Sequence, residues 1–99
     1  MTVYVIALVK FTQEEYYRRY QSRFAGVFKA FNGRLLAADE RPKVLDGEWT
    51  RDKVVIMEFP DEAEATRFLD SPAYQEISRD RIAGATVLSL LVKGLPSPP

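Results

Sequence analysis

Three short stretches of this chain are apolar on both alternating faces: Val3-Tyr4-Val5-Ile6-Ala7-Leu8-Val9, Val54-Val55-Ile56-Met57 and Val87-Leu88-Ser89-Leu90-Leu91-Val92. Side chains on a strand point to opposite faces of the sheet, so such runs need a cover on each side. The helical segments between them suffice for one. The second cover is predicted to be another copy of the chain, which makes a homodimer through the open sheet face the strongest expectation. Left in water, that face would exceed the few hundred Å² that monomers ordinarily expose. Burying about 1,000 Å² of it gains roughly 25 kcal/mol of transfer free energy before ordering and association costs.

The 99 residues make one domain, expected over 1–94, with 95–99 as a flexible C-terminal tail rich in proline. Fourteen basic residues balance fourteen acidic ones, so no global field steers the chain toward nucleic acid or an anionic membrane. Cysteine and histidine are both absent. That removes disulfides, thiol nucleophiles and zinc clusters of the usual kind, and it removes the common proton shuttle near neutral pH. No metal site and no cofactor are expected, and chemistry carried by the chain's own groups would fall to Tyr, Arg, Lys, Asp or Glu. Met1-Thr2-Val3 leads straight into the first apolar run and no stretch approaches the roughly 20 apolar residues of a membrane span. The expected location is cytoplasmic.

The pattern reads strand, helix, strand, strand, helix, strand. Residues 3–10 form the first strand. Thr12 with Glu15 is a capping-box pattern, and Tyr17, Tyr20, Phe24, Val27, Phe28 and Phe31 recur three and four apart as one apolar helix stripe. Asn32-Gly33 is expected to end that helix, with Gly33 at positive φ. A second strand is read over 34–38. Residues 43–49 read as a short strand or a hairpin arm along the sheet edge, with Asp46-Gly47 as its turn. Strand 53–59 stops at Pro60. Asp61 and Ser71-Pro72 cap two successive helical segments, with Tyr74, Ile77 and Ile82 expected to point inward, and the last strand covers 86–92. Two β-α-β crossovers of this order give an α+β, ferredoxin-like βαββαβ fold: a four-stranded antiparallel sheet with helices on one face.

Tyr17-x-x-Tyr20, Asn32-Gly33-Arg34, Asp46-Gly47-Glu48-Trp49, Val55-Ile56-Met57-Glu58-Phe59-Pro60 and Ser71-Pro72-x-Tyr74 followed by Arg81 together resemble the bacterial family known as domain of unknown function 1330. The resemblance spans roughly residues 3–94. It implies membership of the dimeric α+β barrel superfamily, which includes heme-degrading and antibiotic-synthesis monooxygenases, muconolactone isomerase-like proteins, chlorite dismutase-like proteins and stress-response barrels. Several of those relatives use a histidine as ligand or base. This chain departs from them in having none.

Glu58 is the candidate catalytic residue. It shares strand parity with Val54 and Ile56 and sits among Val55, Met57 and Phe59, where a carboxylate must be paired, hydrogen-bonded, protonated or open to a cavity. One reading makes it a general base or ligand anchor in a cleft; the other makes it half of an ion pair, or a strand end in water. Arg34 and Arg81 are its candidate partners, or candidate binders of an acidic ligand. Tyr17, Tyr20 and Tyr74 can bury their rings and present hydroxyls to a ligand, or serve only as core. Trp49 is a candidate ligand contact or interface anchor. The function expected is a homodimeric protein that binds a small organic ligand near Glu58. The alternatives are a cofactor-independent monooxygenase or isomerase acting on a small acidic or aromatic substrate, and a non-catalytic, stress-associated or structural dimer.

Overall fold

The computed structural model describes residues 1–96; of the expected tail, 97–99 lie outside the described residues. The elements are β1 (Val3–Phe11), α1 (Glu14–Phe28), β2 (Arg34–Asp39), β3 (Lys53–Phe59), α2 (Glu62–Leu69), α3 (Pro72–Gly84) and β4 (Ala85–Lys93). All pairings are antiparallel and the sheet order is β2-β3-β1-β4. The two longest apolar runs thus lie side by side, with β1 between β3 and β4. A register shift between Leu35 and Ala37 puts a bulge into β2, the edge strand beside β3.

The helices cover one face. Val3, Val5 and Val9 of β1, and Met57 and Phe59 of β3, are buried against them. Phe68 of α2 is the hub of this core. Its ring lies 4.4 Å from Tyr74, 5.2 Å from Phe28, 5.3 Å from Phe31 and 5.7 Å from Phe59, centroid to centroid. The other face carries Tyr4, Ile6 and Leu8 of β1, flanked by Val92, Leu90 and Leu88 of β4 and by Glu58, Ile56 and Val54 of β3. Nothing among the described residues covers it: Leu88 is 45 % and Leu90 46 % exposed.

The barrel implied by the family resemblance is not what this chain forms. β2 and β4 are free edges at opposite ends of the sheet, which is open and not closed on itself. Four strands are too few to curl round until their edges meet and still leave room for side chains inside.

Local corrections follow the same logic. The Thr12–Glu15 capping box does not form; α1 starts after Gln13 with no side-chain cap. Instead the carbonyl of Gly84 accepts from the backbone N–H groups of Thr12 and Gln13, at 2.9 and 3.1 Å. A tertiary contact has replaced a local one. At its other end α1 stops at Phe28, and Gly33 is not at positive φ. The glycine that is, Gly47 at φ +89°, sits in the expected Asp46-Gly47 turn. Gly33 is required for space, since a Cβ there would lie 2.7 Å from the rings of both Phe28 and Phe59. Residues 40–52 run without helix or strand, so the 43–49 arm is not a strand. The caps of α2 and α3 form as read: Asp61 accepts from the Glu64 N–H at 2.8 Å and Ser71 from that of Tyr74 at 3.2 Å. On α3, Tyr74, Ile77 and Ser78 are buried but Ile82 is 68 % exposed. Helical periodicity continues the inward stripe from Tyr74 and Ile77–Ser78 to Arg81, not to its neighbour. Among the described residues no helix is long and apolar enough to cross a membrane.

Candidate functional site

A cavity of about 410 Å³ lies between the helices and the covered sheet face. Its origin is a row of small side chains across the sheet. Ala38 of β2 pairs with Val55 of β3, Val55 with Ala7 of β1, and Ala7 with Ser89 of β4. All four line the cavity, and none is long enough to reach the helices above. Close packing would otherwise fill such a space.

Tyr17, Tyr20 and Phe24 of α1 form much of the roof, with Tyr74 and Arg81 of α3 beside them. Gly84 holds the two helices together. A Cβ there would lie 2.4 Å from the backbone nitrogen of Tyr17 and 2.8 Å from the carbonyl oxygen of Gln13. The Tyr20 and Tyr74 hydroxyls are 2.9 Å apart. Burial pushes the Tyr17 phenol up to about 12, with Tyr74 reinforcing the shift and Arg81 opposing it. Tyr20 is raised further, again by burial first and then by Tyr74. Both are therefore neutral hydrogen-bond donors at physiological pH and not bases.

Lys53 is the residue the sequence reading missed. It opens β3 on the parity of Val55, Met57 and Phe59, so its chain runs under α1 and is buried. Its Nζ lies 4.9 Å from the centroid of the Tyr17 ring and donates to Gln21 Oε1 at 3.3 Å. Burial holds its proton affinity below the ordinary lysine value, against an opposing pull from Glu40. The signal available in the sequence was that parity: a lysine in step with three residues that must face a core.

The candidates named from sequence fall into three places. Tyr17, Tyr20, Tyr74 and Arg81 converge on the cavity. Glu58 and Arg34 lie on the other side of the sheet, directly opposite each other on β3 and β2. Their charged groups are 3.7 Å apart, with Arg34 76 % exposed; a pair so placed contributes at most about 1 kcal/mol. Glu58 is not among the cavity's lining residues. Trp49 belongs to the 40–52 segment, where it lines a shallow depression with Pro42, Val44 and Leu45, apart from the cavity.

Helices on one face of an open four-stranded antiparallel sheet, with an apolar cavity between the layers, define a ferredoxin-like α+β protein. Solved structures agree. The chain is similar to a protein of unknown function from Rhodopseudomonas palustris, with 21% identity and a TM-score of 0.80 over 97% of this chain and 84% of that one. It is also similar to SnoaB, a cofactor-independent oxygenase from Streptomyces nogalater, with 15% identity and a TM-score of 0.71 over 99% and 97%. A dimeric ferredoxin-like protein of unknown function from a Jannaschia species matches at 16% identity and a TM-score of 0.70, over 95% and 100%. No curated protein matches the chain. The chain belongs to the family described as Domain of unknown function (DUF1330), which it matches over residues 2–95.

Proposed function

We propose that this protein is a homodimer, paired through the open sheet face, that binds a small and largely apolar organic molecule in the helix–sheet cavity of each protomer. The observation that carries the ligand reading is the Ala38–Val55–Ala7–Ser89 row, which leaves a roofed space of about 410 Å³ where a core would otherwise be filled. A concave, mostly apolar space with a few convergent polar groups is the ordinary form of a small-molecule site. The dimer reading is supported by the exposed Leu88 and Leu90 on the uncovered face and by the dimeric ferredoxin-like relative. Glu58 has no part in ligand binding in this reading, because it lies on the far side of the sheet from the cavity and faces Arg34.

A second reading is a cofactor-independent oxygenase. It is favoured by the likeness to SnoaB and by the neutral phenols of Tyr17 and Tyr20, which suit stabilisation of a developing oxyanion by donated hydrogen bonds.

The test uses 2-naphthamide, a neutral planar probe, followed by amide NMR shifts. Shifts confined to the cavity-lining residues, and abolished by Ala7→Leu in a protein that keeps its native spectrum, support the ligand reading. Shifts on the open sheet face, or undiminished binding to the Ala7→Leu variant, overturn it.

A further inference from the structure

The cavity is chemically polarised along its length. Lys53 lies opposite Val9, and Val9 opposite Val87, so these three share one row across the sheet. Met57 lies opposite Val5 and Leu35 in another row. The rows are four residues apart on β3, about 13 Å at roughly 3.3 Å per residue. Tyr17 stands at the first row, its ring under the Lys53 ammonium. Arg81 is at the same end, because it precedes Gly84 by less than one turn and Gly84 abuts the backbone of Tyr17. Toward the second row the cavity is lined by Val5, Met57, Leu35, Phe24 and Leu69, with the exposed Asp70 and Gln75 beside Leu69. The one carboxylate among the described residues that lines the cavity therefore lies next to Leu69, at the end of α2, and not on the segments that carry Lys53 and Arg81.

Arg81 also differs from most other arginines of the chain. Arg18 is held by Glu14 and Glu40, Arg19 by Asp80, Arg34 by Glu58, Arg67 by Glu64 and Arg79 by Glu76. None of the ion pairs among the described residues involves Arg81, and its Nε is buried with no hydrogen-bond partner. Native structures rarely leave a charged donor desolvated in this way. The Nε–H and the neighbouring Nη–H of a guanidinium form a parallel fork that fits both oxygens of a carboxylate. Beside it, Tyr20 and Tyr74 share one hydrogen bond between two hydroxyls, which leaves one O–H of the pair to donate.

We propose that the cavity selects amphiphilic monocarboxylates, with the carboxylate received by the Arg81 guanidinium at the Lys53–Tyr17 end and the apolar body lying toward Met57 and Leu69. Arg81 supplies the fork, and Lys53, which makes no ion pair among the described residues and of the carboxylates feels only the more distant Glu40, adds a second positive charge. An uncharged ligand of the same shape would leave both cations desolvated, so the site discriminates by charge. This inference rests on the ligand reading of the cavity given above.

The test compares 2-naphthoate with its neutral isostere 2-naphthamide by calorimetric titration at neutral pH. The expected result is at least tenfold tighter binding of the carboxylate to the native protein. The ratio should fall to threefold or less in Arg81→Gln and be partly retained in Arg81→Lys, which keeps the charge and loses the fork. Native amide spectra of both variants establish that they are folded. Lys53→Met should lower the ratio as well. Equal binding of the two probes to the native protein, with the amide still mapping to the cavity, overturns the charge selection and leaves the ligand reading standing. A ratio unchanged in Arg81→Gln overturns the role of Arg81. Binding of neither probe at millimolar concentration overturns the ligand reading and this inference with it.

Discussion

The Tyr20 and Tyr74 hydroxyls meet at 2.9 Å between α1 and α3, 54 positions apart in sequence and both buried. Their rings stand nearly edge to face, at 6.1 Å and 72°. Removing one hydroxyl leaves its partner desolvated, whereas removing both leaves two phenyl groups in an apolar setting. Tyr20→Phe and Tyr74→Phe are each expected to lower stability by about 1 kcal/mol, and the double variant to lose less than their sum. Urea unfolding of the four proteins measures this directly. Strict additivity would mean that the hydroxyls are not coupled.

Gly84→Ala is expected to be among the most damaging single-methyl additions to this chain. The new Cβ meets main-chain atoms, the Tyr17 nitrogen at 2.4 Å and the Gln13 carbonyl oxygen at 2.8 Å. Such atoms cannot rotate away as a side chain would. Accommodating the methyl group must separate α3 from α1 and loosen the Gly84 carbonyl from the Thr12 and Gln13 N–H groups that it caps. Overpacking of this kind costs about 1–3 kcal/mol. By contrast, Gly26→Ala, where a Cβ meets nothing within 4 Å, should raise helix stability by roughly 0.5–1 kcal/mol. A thermal melt in which Gly84→Ala loses nothing would contradict the close approach.

Alkaline pH should weaken the fold through Tyr17. Burial raises its phenol from 10.0 to about 12, so the folded state binds the proton more tightly than the unfolded chain does. That contribution to stability is complete below pH 10.0 and is lost as the pH rises through about 12. Tyrosinate absorbance of the native protein should therefore include a component developing near the top of this window, and Tyr17→Phe should abolish it. The variant's unfolding free energy should also fall less steeply between these two pH values. An unchanged alkaline limb would exclude Tyr17 as its source.

Light scattering at micromolar concentration is expected to give twice the 11.3 kDa chain mass. Leu90→Glu places a carboxylate on the uncovered face, opposite Ile6 on β1, and should reduce the mass to that of a single chain. The residue is 46 % exposed within one protomer, so the isolated chain has little reason to unfold on its account. A native protein of single-chain mass, or a Leu90→Glu variant that keeps the doubled mass, would remove the open face as the interface.

Much of the secondary structure was legible because it is written in local chemistry. Pro60 ends β3, Asp61 and Ser71 cap their helices, and Asp46-Gly47 turns at positive φ. Where local signals failed, a distant group had taken over. The carbonyl of Gly84 ties down the Thr12 and Gln13 N–H groups just ahead of α1, where no capping box forms, and the rings of Phe28 and Phe59 explain Gly33. The site was only half legible. Tyr17, Tyr20, Tyr74 and Arg81 line the candidate cavity, but Glu58, the most conspicuous charged residue of the strands, does not. Its parity with Val54 and Ile56 already set it apart from Met57 and Phe59, yet parity alone does not say which face the helices take. Lys53 went unnoticed for the same reason.

Local residue patterns alone gave the order of the strands, the caps that start α2 and α3, and the two-faced character of β1, β3 and β4, since each depends on residues within a few positions of one another. Long-range packing is what leaves the sheet open, lays the helices over the Val5–Met57 side, and lines up Ala38, Val55, Ala7 and Ser89 beneath them. Lys53, Tyr17 and Arg81 come from three segments far apart in the chain. Their meeting at one end of a cavity is set by strand register and by the contact of Gly84 with α1, neither of which leaves a local trace in the residues involved.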